Sequence, residues 1–240
     1  MISYDLNEIP SSILAIGAHP DDIEFNAFGT LAKWASVGSR IDMAIMTDGS
    51  KGSWDPDQNI DELKEIRRIE AKRAADTIGA NLHFLNYVDG ELEFNKDTVK
   101  TIAKLIRLVK PQMIITHDPF KKYRLHPDHR NCGQIVLDAI VAARDPHFLK
   151  DLNISHHRPH KILLFEPEVT DHLETIQEFM NTKIEALLKH KSQYITTMDI
   201  TDPENPIQIM RFKNWIGELA HSAGNPIGKP AECFKLIEKV

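Results

Sequence analysis

The sequence predicts an α/β protein: a Rossmann-like, doubly wound, mainly parallel sheet with a C-terminal appendage. Three observations carry that prediction. Short apolar runs alternate with longer amphipathic segments, as βαβ crossovers require. Clusters of ionisable residues follow several of the apolar runs directly, where open α/β sheets bind their ligands. From Thr196 onward the alternation weakens and Pro203, Pro206, Pro226 and Pro230 punctuate the chain.

SSILAIGA (11–18) is a buried strand bounded by Pro10 and Pro20. AFGTLAKWASVG (27–38) has helical spacing and ends on a glycine suited to a C-cap. IDMAIMT (41–47) is a second strand, closed by the turn-forming Asp48-Gly49. Residues 61–79 form a long helix with Asp61 as N-cap and Gly79 as its stop. NLHFLNYV (81–88) is a third strand before Asp89-Gly90. Residues 96–110 are a helix stopped by Pro111, and QMIITH (112–117) is the fourth strand. A helix over 131–143, a strand KILLFE (161–166) and a helix over 171–191 complete the core, with one more helix around 210–221. The whole reads as a single domain, residues 1–240, with a core of about 11–193 and an appendage of about 194–240.

At 240 residues and 42% hydrophobic, the chain is long enough to bury one sizeable core. Its 29 basic against 35 acidic residues give a net charge of −6. That balance argues against nucleic acid or an anionic membrane as a partner, since both favour clustered Lys and Arg. Cys132 and Cys233 show no pairing pattern and read as free thiols of a reducing compartment. With neither a signal peptide nor a run long enough to span a bilayer, a cytoplasmic location is expected. The apolar content leaves room for a homo-oligomer.

Two clusters carry chemistry. In Ala18-His19-Pro20-Asp21-Asp22, three ionisable side chains follow an apolar strand, where packing alone would not ask for them. A tight turn there points two of them at one ion; the alternative is an Asp-rich turn capping the next helix. In His126-Pro127-Asp128-His129, Pro127 suits a helix N1 position, which brings the two histidines together on an opening turn. Asp128 between them can accept an imidazole N–H. Two histidines and one carboxylate make a three-ligand set that leaves a position open for water, as catalytic rather than structural zinc sites do. A second aspartate is then a natural general base, and the second imidazole a proton donor or oxyanion stabiliser. Spacing leaves open which of His126 and His129 binds the metal, and it leaves Asp21 and Asp22 interchangeable.

AHPDD after a first strand, with HPDH before a late helix, resembles the PIG-L/LmbE-like family of zinc-dependent de-N-acetylases. TDGSKG (47–52), Arg67-x-x-Glu70, LNYVDGEL (85–92), KPQMIITHDP (110–119), KIEALLKHKSQ (183–193) and PAECF (230–234) extend the resemblance. It implies that His19, Asp22 and His129 hold zinc, and that Asp21 is the general base. It further implies that His126 is the acid or oxyanion stabiliser, with Asp128 as its orienting partner, and that Arg67 and Asp89 contact the sugar. Some members carry a tyrosine two residues before HPDH; here that position is Arg124, and the tyrosine is Tyr123.

The expected function is therefore removal of acetyl from an N-acetylglucosamine-type sugar or conjugate, a small-molecule substrate. Iron, cobalt or manganese suit the same donor set as zinc. A metal-dependent hydratase acting on an unsaturated dicarboxylic acid is the alternative, because Arg124 and Lys121-Lys122 offer it cationic contacts. A non-catalytic nucleotide-binding module has only the fold in its favour, since there is no G-x-G-x-x-G and no Walker sequence. His156, His157 and His160 read as a solvated loop, Trp34 as core, and Trp54, in the Gly-Ser-Trp-Asp loop near the expected mouth, as the better candidate to stack on a sugar.

Overall fold

The computed structural model describes residues 2–240. The order of elements is β1 (Ser3–Tyr4), β2 (Ser12–Gly17), α1 (Asp22–Asn26), α2 (Phe28–Ser36), β3 (Arg40–Thr47), α3 (Ile60–Asp76), β4 (Asn81–Tyr87), α4 (Lys96–Val109), β5 (Met113–His117), α5 (Pro127–Arg144), β6 (Lys161–Phe165), β7 (His172–Thr175), α6 (Met180–Leu187), α7 (Pro206–Ala223) and β8 (Ala231–Glu238). The strands form one sheet in the order β1-β7-β8-β6-β5-β2-β3-β4. All pairings are parallel except those of β8, which runs antiparallel to both β6 and β7.

Strand alternation explains the two-layered core. In β2, Leu14 and Ile16 join a cluster with Ile102 and Ile106 of α4 and Ile135 and Val136 of α5. Ile13 and Ala15 point the other way, into Phe28, Leu31 and Trp34 of α2 and Ala74 and Ala75 of α3. Both faces of the central strands are thus covered, which is why the strands read as nearly unbroken apolar runs. A third cluster, Leu187, Tyr194, Met198, Ile200, Phe212 and Ile216, sits under α7.

Successive strands step from β2 to β3 to β4 in one direction, then restart on the other side of β2 with β5 and β6. The reversal lies between β2 and β5, and a doubly wound sheet opens its ligand crevice at the carboxyl ends of those two strands. The first histidine-containing cluster directly follows β2, and His117 ends β5.

Three elements differ from the sequence expectation. Helix α3 begins one residue earlier, and its N-cap is Asn59, whose side chain accepts from the backbone N–H of Asp61 and Glu62. The expected helix over 171–191 opens as strand β7. His172 and Glu174 are buried there because each is partnered: His172 Nε2 lies 2.8 Å from Glu174, and Lys33 Nζ donates to Glu174 at 2.6 Å. Polar residues satisfied in this way hide the period-two signal of a strand. The segment 194–240 is tied into the domain, since β8 lies between β6 and β7, with Phe165 opposite Phe234. Lys235 and Glu238 interrupt its apolar pattern, and Asp171 and Lys161 meet their charges.

Candidate metal and active site

Asp21, the residue before α1, has φ 102° and gives the helix no side-chain cap. Asp22 turns back instead, its Oδ2 accepting the His19 N–H at 2.7 Å. The capping alternative therefore does not hold. What the turn achieves is to hold Asp21 in the left-handed region, costly for any non-glycine residue and found mostly where function demands it.

His19, Asp22 and His129 bring donor atoms together, Asp22 meeting each histidine through a different carboxylate oxygen. His19 Nδ1 lies 3.1 Å from His129 Nε2 and 3.3 Å from Asp22 Oδ2, and His129 Nε2 lies 3.2 Å from Asp22 Oδ1. Two ligands each about 2.1 Å from a tetrahedral zinc ion stand roughly 3.4 Å apart, so these atoms fit a common divalent ion. Other combinations gather donor atoms within 4.8 Å of one another: His19 with His126 and His129, His19 with Asp89, His126 and Asp128, and Asp22 with His117 and His129.

The surrounding carboxylates tune these donors. Asp128 is fully buried; its Oδ2 lies 3.1 Å from His19 Nε2 and accepts the Gly90 N–H at 2.7 Å, while Oδ1 accepts that of Leu92 at 3.2 Å. Asp128 thus holds His19 rather than the His126 it was expected to orient, and that contact aims His19 Nδ1 at the other two donors. Asp89 Oδ1 also reaches His19 Nε2, at 3.2 Å. Burial alone would depress the His19 imidazole, but its contacts with Asp128, Asp22 and Asp89 outweigh that and push it up to about 12. Asp22 is held well below the usual carboxylate range: burial works against ionisation, and His129 and His117 overcome it.

Asp21 behaves oppositely. Burial pushes its carboxyl up to about 6, with the Arg67 guanidinium, 3.7 Å away, only partly offsetting the rise. Arg67 is buried, donating to the carbonyls of Gly49 at 2.9 Å and Pro20 at 2.7 Å. It thereby clamps the loop after β3 to the turn after β2. The two glycines of TDGSKG make room for it: a Cβ at Gly52 would stand 2.1 Å from Arg67 Nη1, and Gly49 carries φ +67°.

In the second cluster, Pro127 opens α5 and His126 is its N-cap, Nδ1 accepting the Asp128 N–H at 3.3 Å. The neutral ring then carries its proton on Nε2. Burial, and after it the proximity of His19 and His129, lowers the His126 pKa, so the ring is neutral at pH 7.

A cavity of about 490 Å³ joins these groups; His19, Asp21, Asp22, Arg67, Asp89, His126 and His129 all line it. The expected loops do converge on one mouth. Arg124 is absent from the lining: it pairs with Glu166 at 2.8 Å, and its Nη1 stands 3.0 Å from His129 Nδ1. Tyr123 is 93% exposed. Trp54 also lies outside the lining, whereas Trp215 of α7 is part of it, as are Glu166 and Gln193. Trp34 is core, and no candidate metal group among the described residues includes His156, His157 or His160.

The family model described as GlcNAc-PI de-N-acetylase (PIG-L) matches residues 14–140, a span that contains both histidine clusters. The chain belongs to this PIG-L family. Diacetylchitobiose deacetylase of Thermococcus kodakarensis is 30% identical over 197 residues, spanning 80% of this chain and 73% of that protein. A 4-oxalmesaconate hydratase of Pseudomonas putida is 26% identical over 145 residues, 58% of this chain and 55% of its own. Among solved structures, N,N'-diacetylchitobiose deacetylase from Pyrococcus horikoshii, bound to its inhibitor MPG, matches with a TM-score of 0.86 and 26% identity, covering 98% of this chain and 87% of that one. This PIG-L protein is accordingly an enzyme that removes N-acetyl groups by hydrolysis, and its histidine and aspartate cluster is a candidate metal centre. Among the described residues no helix is long and apolar enough to cross a membrane.

Proposed function

We propose that this chain deacetylates an N-acetylglucosamine-type sugar or conjugate, with zinc held by His19 Nδ1, Asp22 and His129 Nε2. The observation that carries this reading is the pair of imidazole nitrogens 3.1 Å apart, each within 3.3 Å of an Asp22 oxygen, beside a carboxylate raised to about 6. Bound there, the ion supplies an activated water and polarises the amide carbonyl. Iron, cobalt or manganese would suit the same donors. Asp21 accepts a proton from the attacking water, being basic enough to take it yet ionised at pH 7. His126 donates Nε2–H to the carbonyl oxygen as negative charge grows on it. Asp21 then returns its proton to the departing amine nitrogen. Arg67 and Asp89, both lining the cavity, contact the sugar. The unpaired thiols Cys132 and Cys233 suit a reducing, cytoplasmic setting.

The hydratase alternative meets an obstacle of charge. Its dicarboxylate substrate calls for free cations, but Arg124 is paired with Glu166, and Lys122 Nζ lies 3.2 Å from Glu168. The cavity itself presents Asp21, Asp22, Asp89 and Glu166 against two cationic side chains, Lys51, paired with Glu91, and Arg67, held by backbone carbonyls. A neutral sugar enters such a site at less electrostatic cost than a dianion. The test is acetate release from a panel of N-acetylglucosamine derivatives by protein stripped of metal and reloaded with zinc. Zinc-restored acetate supports the deacetylase; hydration of an unsaturated dicarboxylate without acetate from any sugar overturns it.

A further inference from the structure

Helix α7 packs one apolar face and leaves four large apolar side chains exposed elsewhere on its surface. Phe212 and Ile216 turn inward to the third core cluster, and Ala220 is buried as well. Ile207, Met210, Trp215 and Leu219 remain 77%, 56%, 41% and 48% exposed. Beside these side chains runs a groove of about 910 Å³, floored by the buried Met198 and Phe212 and walled by Ile207, Met210 and Trp215.

The groove is an extension of the metal cavity. Thr197 and Trp215 line both. Phe25, in the cavity wall, stands 6.2 Å from the Trp215 ring, which stands 6.0 Å from Phe212 in the groove floor. With Phe25 and Phe212 themselves 6.5 Å apart, the three rings form one aromatic cluster at the junction of cavity and groove. Charge changes across it: the cavity is crowded with carboxylates, whereas in the groove Arg211 is tied to the Asp199 carboxylate at 2.7 Å, leaving Glu218 as the other charged group.

We infer that the groove beside Trp215 is a subsite for an apolar aglycone, an aryl or alkyl group carried by the same amino sugar whose acetamide sits at the metal. This rests on the deacetylase reading and specifies its substrate class. A second hydrophilic sugar would leave the exposed Ile207, Met210 and Trp215 wet, while an aryl or alkyl group removes them from water. The half-exposed Trp215 ring, shared by cavity and groove, offers a flat group a surface to pack on.

The test compares methyl and benzyl glycosides of N-acetylglucosamine on the zinc-loaded full chain, scored as the ratio of their kcat/KM values for acetate release. The benzyl compound is expected to lead by about tenfold or more in the wild type. Met210→Glu and Ile207→Glu are expected to bring the ratio close to one. Because the ratio is taken within each variant, any shared loss of catalytic efficiency or folded fraction cancels. A wild-type ratio near one, or a lead that survives Met210→Glu, overturns the inference. So does a Met210→Glu protein that changes oligomeric state with its ratio intact, since the exposed side chains would then seat a second copy. Acetate from neither glycoside would sink the deacetylase reading instead. Calorimetric binding of the two glycosides to wild type and Met210→Glu then judges the groove alone: tighter benzyl binding lost in the variant upholds it, equal binding refutes it.

Discussion

The same three residues, His-Pro-Asp, occur at 19–21 and at 126–128, and the structure puts them to opposite uses. In the first copy the chain leaves a strand, Asp21 is twisted to φ 102°, and no protein hydrogen bond reaches its carboxylate among the described residues. In the second, Pro127 starts a helix and Asp128 receives the backbone N–H groups of Gly90 and Leu92 besides contacting His19. The pKa values part accordingly. Burial pushes Asp21 up to about 6; burial also opposes ionisation at Asp128, but His19 and the two amides pull it below the usual carboxylate range. Identical side chains, both largely buried, become a base and a fixed anion because only one of them accepts backbone N–H groups.

The comparison breaks most visibly at Asp21. Asp21→Asn is expected to lower kcat by about 10²- to 10⁴-fold with metal content unchanged. The same carboxyl sets the acid limb of kcat/KM. It must be ionised to accept a proton, so activity falls as pH drops through a midpoint at or below about 6, since a bound cation can only draw that value down. Asp21→Asn should abolish the limb as well; a variant that keeps both rate and limb would remove Asp21 from the chemistry.

His126→Asn is the next largest. Asparagine also caps helices, so melting temperature should hold while kcat falls by about 10²- to 10³-fold from the missing Nε2 donor. A fall in melting temperature with kcat unchanged would reduce His126 to a cap. Asp128→Asn tests the fixed anion. It keeps an oxygen for one backbone N–H but no longer secures His19, so zinc affinity should weaken about 10- to 100-fold. Competition with a coloured chelator measures this, and unchanged affinity would mean that Asp89 alone orients the ring.

Much of this was legible in the sequence, and the limits are instructive. Both tetrapeptides are local, contiguous and set after apolar runs, so their placement at one sheet edge followed from the alternation of elements. Which histidine Asp128 holds was not legible, because the answer depends on a contact between residues 109 positions apart. His117 ends an apolar strand and looks like its last polar residue, yet its Nε2 lies 3.2 Å from Asp22. Glu166, Gln193 and Trp215 reach the cavity from the last third of the chain without any motif of their own. Trp54 misled for the converse reason: its loop begins beside the site, but the side chain is 75% exposed and lies outside the lining.

The smallest expected effect is the most specific to the first copy. Its strained backbone and its unsolvated carboxylate should both cost stability, and glycine relieves both at once. Asp21→Gly in the metal-free protein is expected to gain about 1 kcal/mol, the lower end of what a non-glycine residue in the left-handed region costs. The pH dependence has a definite sign. A carboxyl raised from 3.8 to about 6 binds more protons folded than unfolded, so wild-type stability declines as pH rises through that window and stays lower above it. The gain from glycine should therefore be larger at pH 8 than at pH 4, read by denaturant unfolding at both. The equivalent Asp128→Gly change should show the reverse, losing stability at pH 8, because two buried amides lose their acceptor and the His19 imidazolium loses a counter-charge. If both glycine variants moved stability in the same direction, the contrast between a base held under strain and an anion held by hydrogen bonds would be wrong, and the two tetrapeptides would differ only in which side of the metal they face.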